Sequence, residues 1–258
     1  MDCRKTPALV QLKTIEKGYA MPTLGIIGSG NIGSAVARLA VAAGMNVVIA
    51  NSRGPETLTD LIADLGPLAQ AATVEDAAKL GDAVVLSIPL NAVSDLPDGL
   101  LAGKIVVDTS NYYPSRDGRI AELDDSTVTT SELVQSRLAG AQYVKAFNNI
   151  LAHHIPLLAR PAGSADRSAL PIASDDERAK AEAAALINGL GYDVVDAGAL
   201  AESWRFEPDS AGYTRLYLAD ASTPDAQLMS SAPGTTPKAK VESALASATR
   251  VNVAARVF

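Results

Sequence analysis

Few residues of this 258-residue chain are suited to thiol, metal or aromatic chemistry: it holds one cysteine, one tryptophan, three phenylalanines and two histidines. A lone Cys3 cannot form an internal disulfide or a cysteine metal cluster, and it fits a reducing, cytoplasmic setting. His153 and His154 are adjacent. On a helix, neighbours project about 100° apart, so they would not chelate one ion as an i, i+4 pair does, and no metal site is expected. No apolar run approaches the roughly 18 residues needed to span a bilayer. Positive charge is short as well. Lys and Arg number 22 against 29 Asp and Glu, for a net charge of −7, and the basic residues are scattered. Nucleic acid and anionic membrane are therefore not expected partners.

What the chain does have is aliphatic: 48% of it is hydrophobic and only 4% aromatic, which suits parallel strands covered by Ala-rich helices. The segment Thr23-Leu24-Gly25-Ile26-Ile27-Gly28-Ser29-Gly30-Asn31-Ile32-Gly33 is an apolar strand running into Gly-x-Gly-x-x-Gly. A helical run, Ser34 to Ala43, follows and stops at Gly44. In this context Gly28 permits the tight turn, Gly30 lets a pyrophosphate approach the backbone, and Gly33 lets the helix lie close on the strand. The helix N-terminus then offers free N–H groups to phosphate. A second strand, Met45 to Ala50, ends in Asn51-Ser52-Arg53. An NAD site would place a carboxylate there for the ribose hydroxyls. A guanidinium and a hydroxyl bind a 2′-phosphate instead, which predicts NADP.

Further strands are expected at Ala83 to Pro89, Gly103 to Thr109 and Ala141 to Phe147, with helices over Pro55 to Leu65, near Thr73 to Gly81 and over Ser131 to Leu138. This alternation implies a Rossmann-type, doubly wound α/β fold with a mostly parallel sheet. Strands at Leu170 to Ser174 and Tyr192 to Asp196, flanking a helix over Asp176 to Gly189, are expected to extend that sheet. Ligands on this architecture sit beyond the carboxyl ends of the strands, so Ser29 to Ile32, Ser52 and Arg53, Ser87 to Leu90, Thr109 to Tyr112 and Phe147 to Ile150 should share one rim. Residues 21–150 are read as the NADP-binding domain. Residues 151–258 are read as a smaller C-terminal extension that supplies the acceptor side and a dimer region. Pro224 to Pro237 reads as an aperiodic loop, and Lys238 to Ala248 as a last helix. Residues 1–20 lack the apolar core of a signal peptide. They are expected to be either a flexible native tail or upstream sequence ahead of a start at Met21, since Glu16-Lys17-Gly18 back-translates to a purine-rich stretch.

Taken in order, Gly28 to Gly33, Asn51-Ser52-Arg53, Ser87-Ile88-Pro89-Leu90, Ala146-Phe147-Asn148-Asn149-Ile150 and Asp196-Ala197-Gly198-Ala199-Leu200 resemble the NADP-dependent coenzyme F420 oxidoreductases, over roughly Met21 to Tyr217. Reductase domains of membrane ferric reductases share much of this pattern. The resemblance implies hydride transfer between NADPH and an 8-hydroxy-5-deazaflavin stacked on the nicotinamide, in a protein that is commonly a homodimer. It places Ser29 to Ile32 on the pyrophosphate and Ser52 with Arg53 on the 2′-phosphate. Ser87, Ile88 and Pro89 would lie along the adenosine and ribose, and Ala146 and Asn148 to Ile150 around the nicotinamide and acceptor ring. The sequence departs from the pattern at Asn148, where a histidine would border the deazaflavin, and after Arg205, where it is longer and more polar.

Read from the residues alone, Asn148 and Asn149 suit either a carboxamide or carbonyl partner or a helix N-cap. Trp204 and Phe206 suit either ring stacking or the core. No convincing general acid stands on the rim, which suits a reaction catalysed by positioning. A carbonyl or imine acceptor would need a proton donor, for which Lys145 and Tyr112 are the candidates, with surface exposure the default for Tyr112 and Tyr113. Three classes stay open: an NADPH-dependent reductase of a deazaflavin or flavin, a reductase of a small carbonyl or imine, and a non-catalytic NADP-sensing module.

Overall fold

The computed structural model describes residues 22–256; the leader 1–20 and Cys3 lie outside them. Six parallel strands, β1 (Thr23–Ile27), β2 (Asn46–Ala50), β3 (Ala69–Ala71), β4 (Ala83–Leu86), β5 (Ile105–Asp108) and β6 (Gln142–Lys145), form one sheet in the order β3-β2-β1-β4-β5-β6. All five pairings are parallel. The strand order reverses between β1 and β4, and a crevice opens at that point. Strands β1, β2, β4 and β5 are nearly continuous apolar runs because helices cover both faces. Helix α1 (Asn31–Ala42) follows β1, and α2 (Thr59–Leu65) follows β2 after a 3-10 turn over Pro55–Leu58. Helix α3 (Val74–Leu80) lies so close on β1 that a Cβ on Gly25 would stand 2.2 Å from the Ala77 carbonyl oxygen. Thr73 caps the start of α3 by accepting from the Asp76 N–H, and the Lys104 ammonium donates to the Gly81 carbonyl beyond its end.

Two elements differ from expectation. The three-residue edge strand β3 falls in Ala-Gln-Ala, too short to show a period. The later strands β7 (Ala169–Ile172) and β8 (Asp193–Asp196) do not extend the large sheet: they form a separate parallel pair. On the edge of β7 away from β8, Ala169 donates to Thr236, and Ala173 exchanges both backbone hydrogen bonds with Lys145 of β6. Pro171 stands between them with no N–H, so a continuous ladder cannot run along that edge. The helix Glu177–Gly189 joins β7 to β8, its N-terminus capped by Asp176, and it also contacts β5 and β6. The buried apolar residues of both sheets form a single cluster.

The C-terminal third is built of 3-10 turns at Leu200–Phe206, Thr214–Tyr217 and Asp225–Ser230, then the helix Lys238–Ser247, which buries Val241 and Leu245 and contacts β7 and β8. The stretch expected as a featureless loop, Pro224 to Pro237, is tied down by a Leu218–Pro233 bridge and by Thr236, whose hydroxyl donates to the Leu216 carbonyl. Arg256 is buried, donating to the Pro208 and Tyr112 carbonyls and pairing with Asp209.

Candidate functional site

The turn after β1 positions the first part of the site. Gly28 has φ +108°, and a Cβ there would meet the Ser87 carbonyl oxygen at 2.0 Å; one on Gly33 would meet the Gly28 oxygen at 1.9 Å. Both glycines are demanded by the chain itself. Gly30 is different: its φ of −69° is open to any residue, and a Cβ would meet nothing within 4 Å. Here the space is kept clear for something outside the chain, which is the role a pyrophosphate gives this glycine. Gly30 is also the N-cap of α1, with no side-chain cap and no acidic residue in the first turn, so the helix end is open to an anion.

After β2, Asn51 organises the loop. Its Oδ1 accepts from the Arg53 N–H at 2.9 Å, while its Nδ2 donates to Thr57 at 2.9 Å and towards the Ser29 hydroxyl at 3.3 Å. Ser52 and Arg53 are exposed. Together with Ile27 to Gly30, Val74, Ser87 to Pro89 and Leu96, they line a groove of about 450 Å³. That groove shares Gly30 and Ser87 to Pro89 with a second hollow of about 320 Å³. The second hollow runs past Asn31, Ile32, Thr109 to Asn111, Tyr113, Arg116, Asn148, Ile150 to Ala152, Tyr213 and Thr214. The two halves meet over the β1/β4 crevice, and the residues present fit an extended dinucleotide with an acceptor beside its far end.

The second half contains a hydrogen-bonded group that no short motif announces. Asn111 donates to the Asn148 carbonyl at 2.7 Å, and Asn148 Nδ2 donates to Asn111 Oδ1 at 3.0 Å and to the Phe206 carbonyl at 2.9 Å. Two acceptors on Nδ2 set the amide's orientation, and Asn148 Oδ1 has no hydrogen-bond partner among the described residues. Neither Asn148 nor Asn149 caps a helix; the N-cap of the next turn is Leu151. The Tyr113 and Tyr213 hydroxyls stand 2.5 Å apart, and Asn111 Nδ2 reaches towards both. Burial holds both phenols above their ordinary pKa, Tyr213 well above it, with its neighbour Tyr113 adding to the shift. Both phenols are therefore neutral at physiological pH and can donate hydrogen bonds.

Several expected site residues stand elsewhere. Ala146 and Asn149 are fully buried, and Asn149 donates to the Gly212 carbonyl, holding the segment that carries Tyr213. Lys145 is fully buried and ion-paired with Asp108 at 2.9 Å, its ammonium also meeting the Ser110 carbonyl. Asp108 further accepts from Tyr143 and Ser110, and proximity to this carboxylate adds to the burial that raises the Tyr143 phenol. Lys145 is thus structural and cannot donate a proton in the hollow. Tyr112 is buried rather than exposed, donating to Asp124 at 3.0 Å and accepting from the Ile120 N–H. Trp204 is not on the rim. It lines a small cavity with Tyr112, Thr129 and Glu207, its ring flanked by the Arg250 guanidinium at 4.9 Å and the Arg205 guanidinium at 5.9 Å; those cations occupy the surface a substrate ring would need. Phe206 is core. Tyr113, Arg116 and Tyr213 were not foreseen, because no spacing links residues a hundred positions apart. Among the described residues no cluster of three or more His, Cys, Asp or Glu could hold a metal, and no helix is long and apolar enough to cross a membrane.

Residues 23–112 match the family described as NADP oxidoreductases, coenzyme F420-dependent. The chain is 30% identical over 191 residues to metalloreductase STEAP3 of Rattus norvegicus, a match that takes in 72% of this chain but only 36% of that protein; the chain thus spans about a third of this relative's length. Among solved structures, it aligns with a hypothetical protein of Sinorhizobium meliloti at 33% identity and a TM-score of 0.64, over 74% of this chain and 92% of that one. It also aligns with a protein of Arthrobacter sp. FB24 described as an F420-dependent NADP reductase, at 25% identity and a TM-score of 0.59, over 71% and 87% of the two chains.

Proposed function

We propose that this chain, whose residues 23–112 match the coenzyme F420-dependent NADP oxidoreductases, moves a hydride between NADP(H) and a deazaflavin such as coenzyme F420, or a flavin-like ring, lying in the second half of the groove. The observation that carries this reading is the hollow beside the open N-terminus of α1, lined both by the aliphatic residues Ile32, Ile88, Ile150 and Leu151 and by amide and phenol groups. When bound, the nicotinamide supplies the hydride. The chain's own part is positioning. The N–H groups at the start of α1 would hold the pyrophosphate, and Ser52 and Arg53 the 2′-phosphate. Ser87 to Pro89 would border the ribose. Asn148 Oδ1, a buried acceptor lacking a hydrogen-bond partner among the described residues, would receive the carboxamide N–H. The protein would act as a homodimer in the cytoplasm, which light scattering and fractionation test.

A second reading has its own observation. A small carbonyl or imine acceptor needs a proton donor, and although Lys145 and Tyr112 are withdrawn from the cleft, the Tyr113 and Tyr213 hydroxyls line it. A purely NADP-sensing module would bind the dinucleotide without turnover. The test is NADPH oxidation with coenzyme F420, with FMN and with neither, repeated with NADH. Bleaching of the deazaflavin by NADPH alone supports the first reading. Binding of NADPH with no turnover on either ring would overturn it and send the search to carbonyls and imines.

A further inference from the structure

Arg116, on the single helical turn Pro114–Asp117, is the one charged side chain lining the acceptor half of the groove among the described residues. Its position is tightly determined. Nε and Nη2 each donate to Asp117 at 2.8 Å, Nη2 also donates to the Asn111 carbonyl at 2.8 Å, and the guanidinium lies 4.8 Å over the Tyr113 ring. The Asp117 side chain is fully buried, held in addition by the Tyr113 N–H, whereas the arginine side chain is 42% exposed. The cleft therefore meets the guanidinium and not the carboxylate that orients it. Nη1 makes no hydrogen bond to the described residues, so it retains donor capacity in a fork whose direction is already set. Beside it stands the Tyr113 and Tyr213 hydroxyl pair.

Resting on the proposed ring acceptor, we propose that Arg116, seconded by the Tyr213 hydroxyl, is the specificity-determining edge of the site and selects a planar conjugated ring carrying an ionised oxygen. An anionic oxygen gains a charge-assisted bond from a preoriented guanidinium. A ring with only hydrogen at that position leaves the guanidinium's donors without a partner inside the complex.

The test compares an 8-hydroxy-5-deazaflavin with the same ring lacking the hydroxyl, using wild type, Arg116→Gln, Arg116→Lys and Tyr213→Phe. Its readouts are kcat and KM taken separately and the Kd of each oxidised ring for the NADP⁺-loaded protein, from absorbance titration. In Arg116→Gln the preference for the hydroxylated ring should fall about tenfold or more, in KM and Kd and not in kcat, with about threefold in Tyr213→Phe and an intermediate loss in Arg116→Lys. Tyr213→Phe removes a single oxygen and serves if Arg116→Gln, which strips Asp117 of its partner, fails to fold. Equal loss on both rings, or none on the hydroxylated one, overturns the inference while leaving the acceptor reading intact. A wild-type protein that binds NADPH but neither binds nor reduces either ring overturns both.

Discussion

The two halves of the groove are built by different rules. The dinucleotide half is built mainly from short runs at the ends of neighbouring strands. Gly28 to Gly33 end β1, Asn51 to Arg53 end β2 and Ser87 to Pro89 end β4, each a short run of consecutive residues. The acceptor half is made of side chains gathered from across the chain: Asn111 and Arg116 after β5, Asn148 after β6, and Tyr213 from the C-terminal turns. A fixed ligand such as a dinucleotide is met by geometry that local sequence can encode. The partner molecule is met by a set that only tertiary structure assembles, and this is where relatives with one fold can diverge in substrate.

The largest effects fall on residues that hold the fold together, and among them the glycines separate what the fold needs from what the ligand needs. Gly33→Ala drives a Cβ to 1.9 Å from the Gly28 oxygen, so α1 must shift; we expect a loss of about 1–3 kcal/mol of stability in thermal or denaturant unfolding, with NADPH binding lost alongside. Gly30→Ala meets no protein atom within 4 Å. It should melt like wild type yet weaken NADPH about tenfold or more by fluorescence titration, the cost of a methyl in the pyrophosphate path. If both variants behave alike, Gly30 is not a ligand-facing position. Under the acceptor half, Lys145→Met removes the partner of buried Asp108 and should cost about 3–5 kcal/mol. Its residual folded fraction should bind NADPH normally if the two halves are as separable as their construction suggests.

Sequence legibility follows the same division. Five strands of the six-stranded sheet are readable because strands buried on both faces leave unbroken apolar runs such as Val84 to Leu86 and Ile105 to Val107; the three-residue edge strand β3 leaves none. The glycine turn is readable because Gly28, Gly30 and Gly33 fall within six consecutive positions, although only Gly33 answers a local demand, from the Gly28 oxygen; Gly28 answers Ser87 on the neighbouring strand end, and Gly30 answers nothing in the chain. β7 shows the same apolar signal as the sheet strands, and only Pro171 hinted that it would not join them. Trp204 drew attention as a large exposed-capable aromatic, but nothing local reveals that Arg205 and Arg250 flank it. Arg116 looked like one charge in a polar connection, since the Asn111 carbonyl and the Tyr113 ring that orient it act through folding. Tyr113 and Tyr213 carry no mutual signal at all.

A smaller and more selective effect belongs to the cofactor half. Arg53 is exposed and its backbone is held by Asn51, so Arg53→Gln should fold unchanged. Loss of one charge-assisted contact of about 1.5–3 kcal/mol predicts a drop of roughly tenfold to a hundredfold in kcat/KM with NADPH and little change with NADH. Equal loss with both would mean that Arg53 does not read the 2′-phosphate.

The smallest effect concerns how the C-terminal cover is pinned beside the acceptor half. His154 is buried, and its Nε2 can meet the Ser231 carbonyl only as a donor, at 2.9 Å. Nδ1 is then the unprotonated nitrogen, buried without a hydrogen-bond partner among the described residues. Burial lowers the imidazole below its ordinary pKa, outweighing the opposing pull of the Ser231 carbonyl, and the neighbouring His153 ring, set edge to face, adds to the lowering. Well above pH 7, folded and unfolded chains both hold His154 neutral and its titration does not affect stability. As pH falls below about 6.5 the unfolded chain takes up the proton first, so stability is lost progressively down to the lower folded pKa. The melting temperature should accordingly decline by a few degrees between pH 7.5 and pH 5.5. In His154→Gln, which can still donate to Ser231 but cannot titrate, part of that decline should vanish. If the variant keeps the full wild-type pH slope, the acid sensitivity lies in other groups, and His154 acts only as a hydrogen-bonded peg between the turn after β6 and the Ser231 loop.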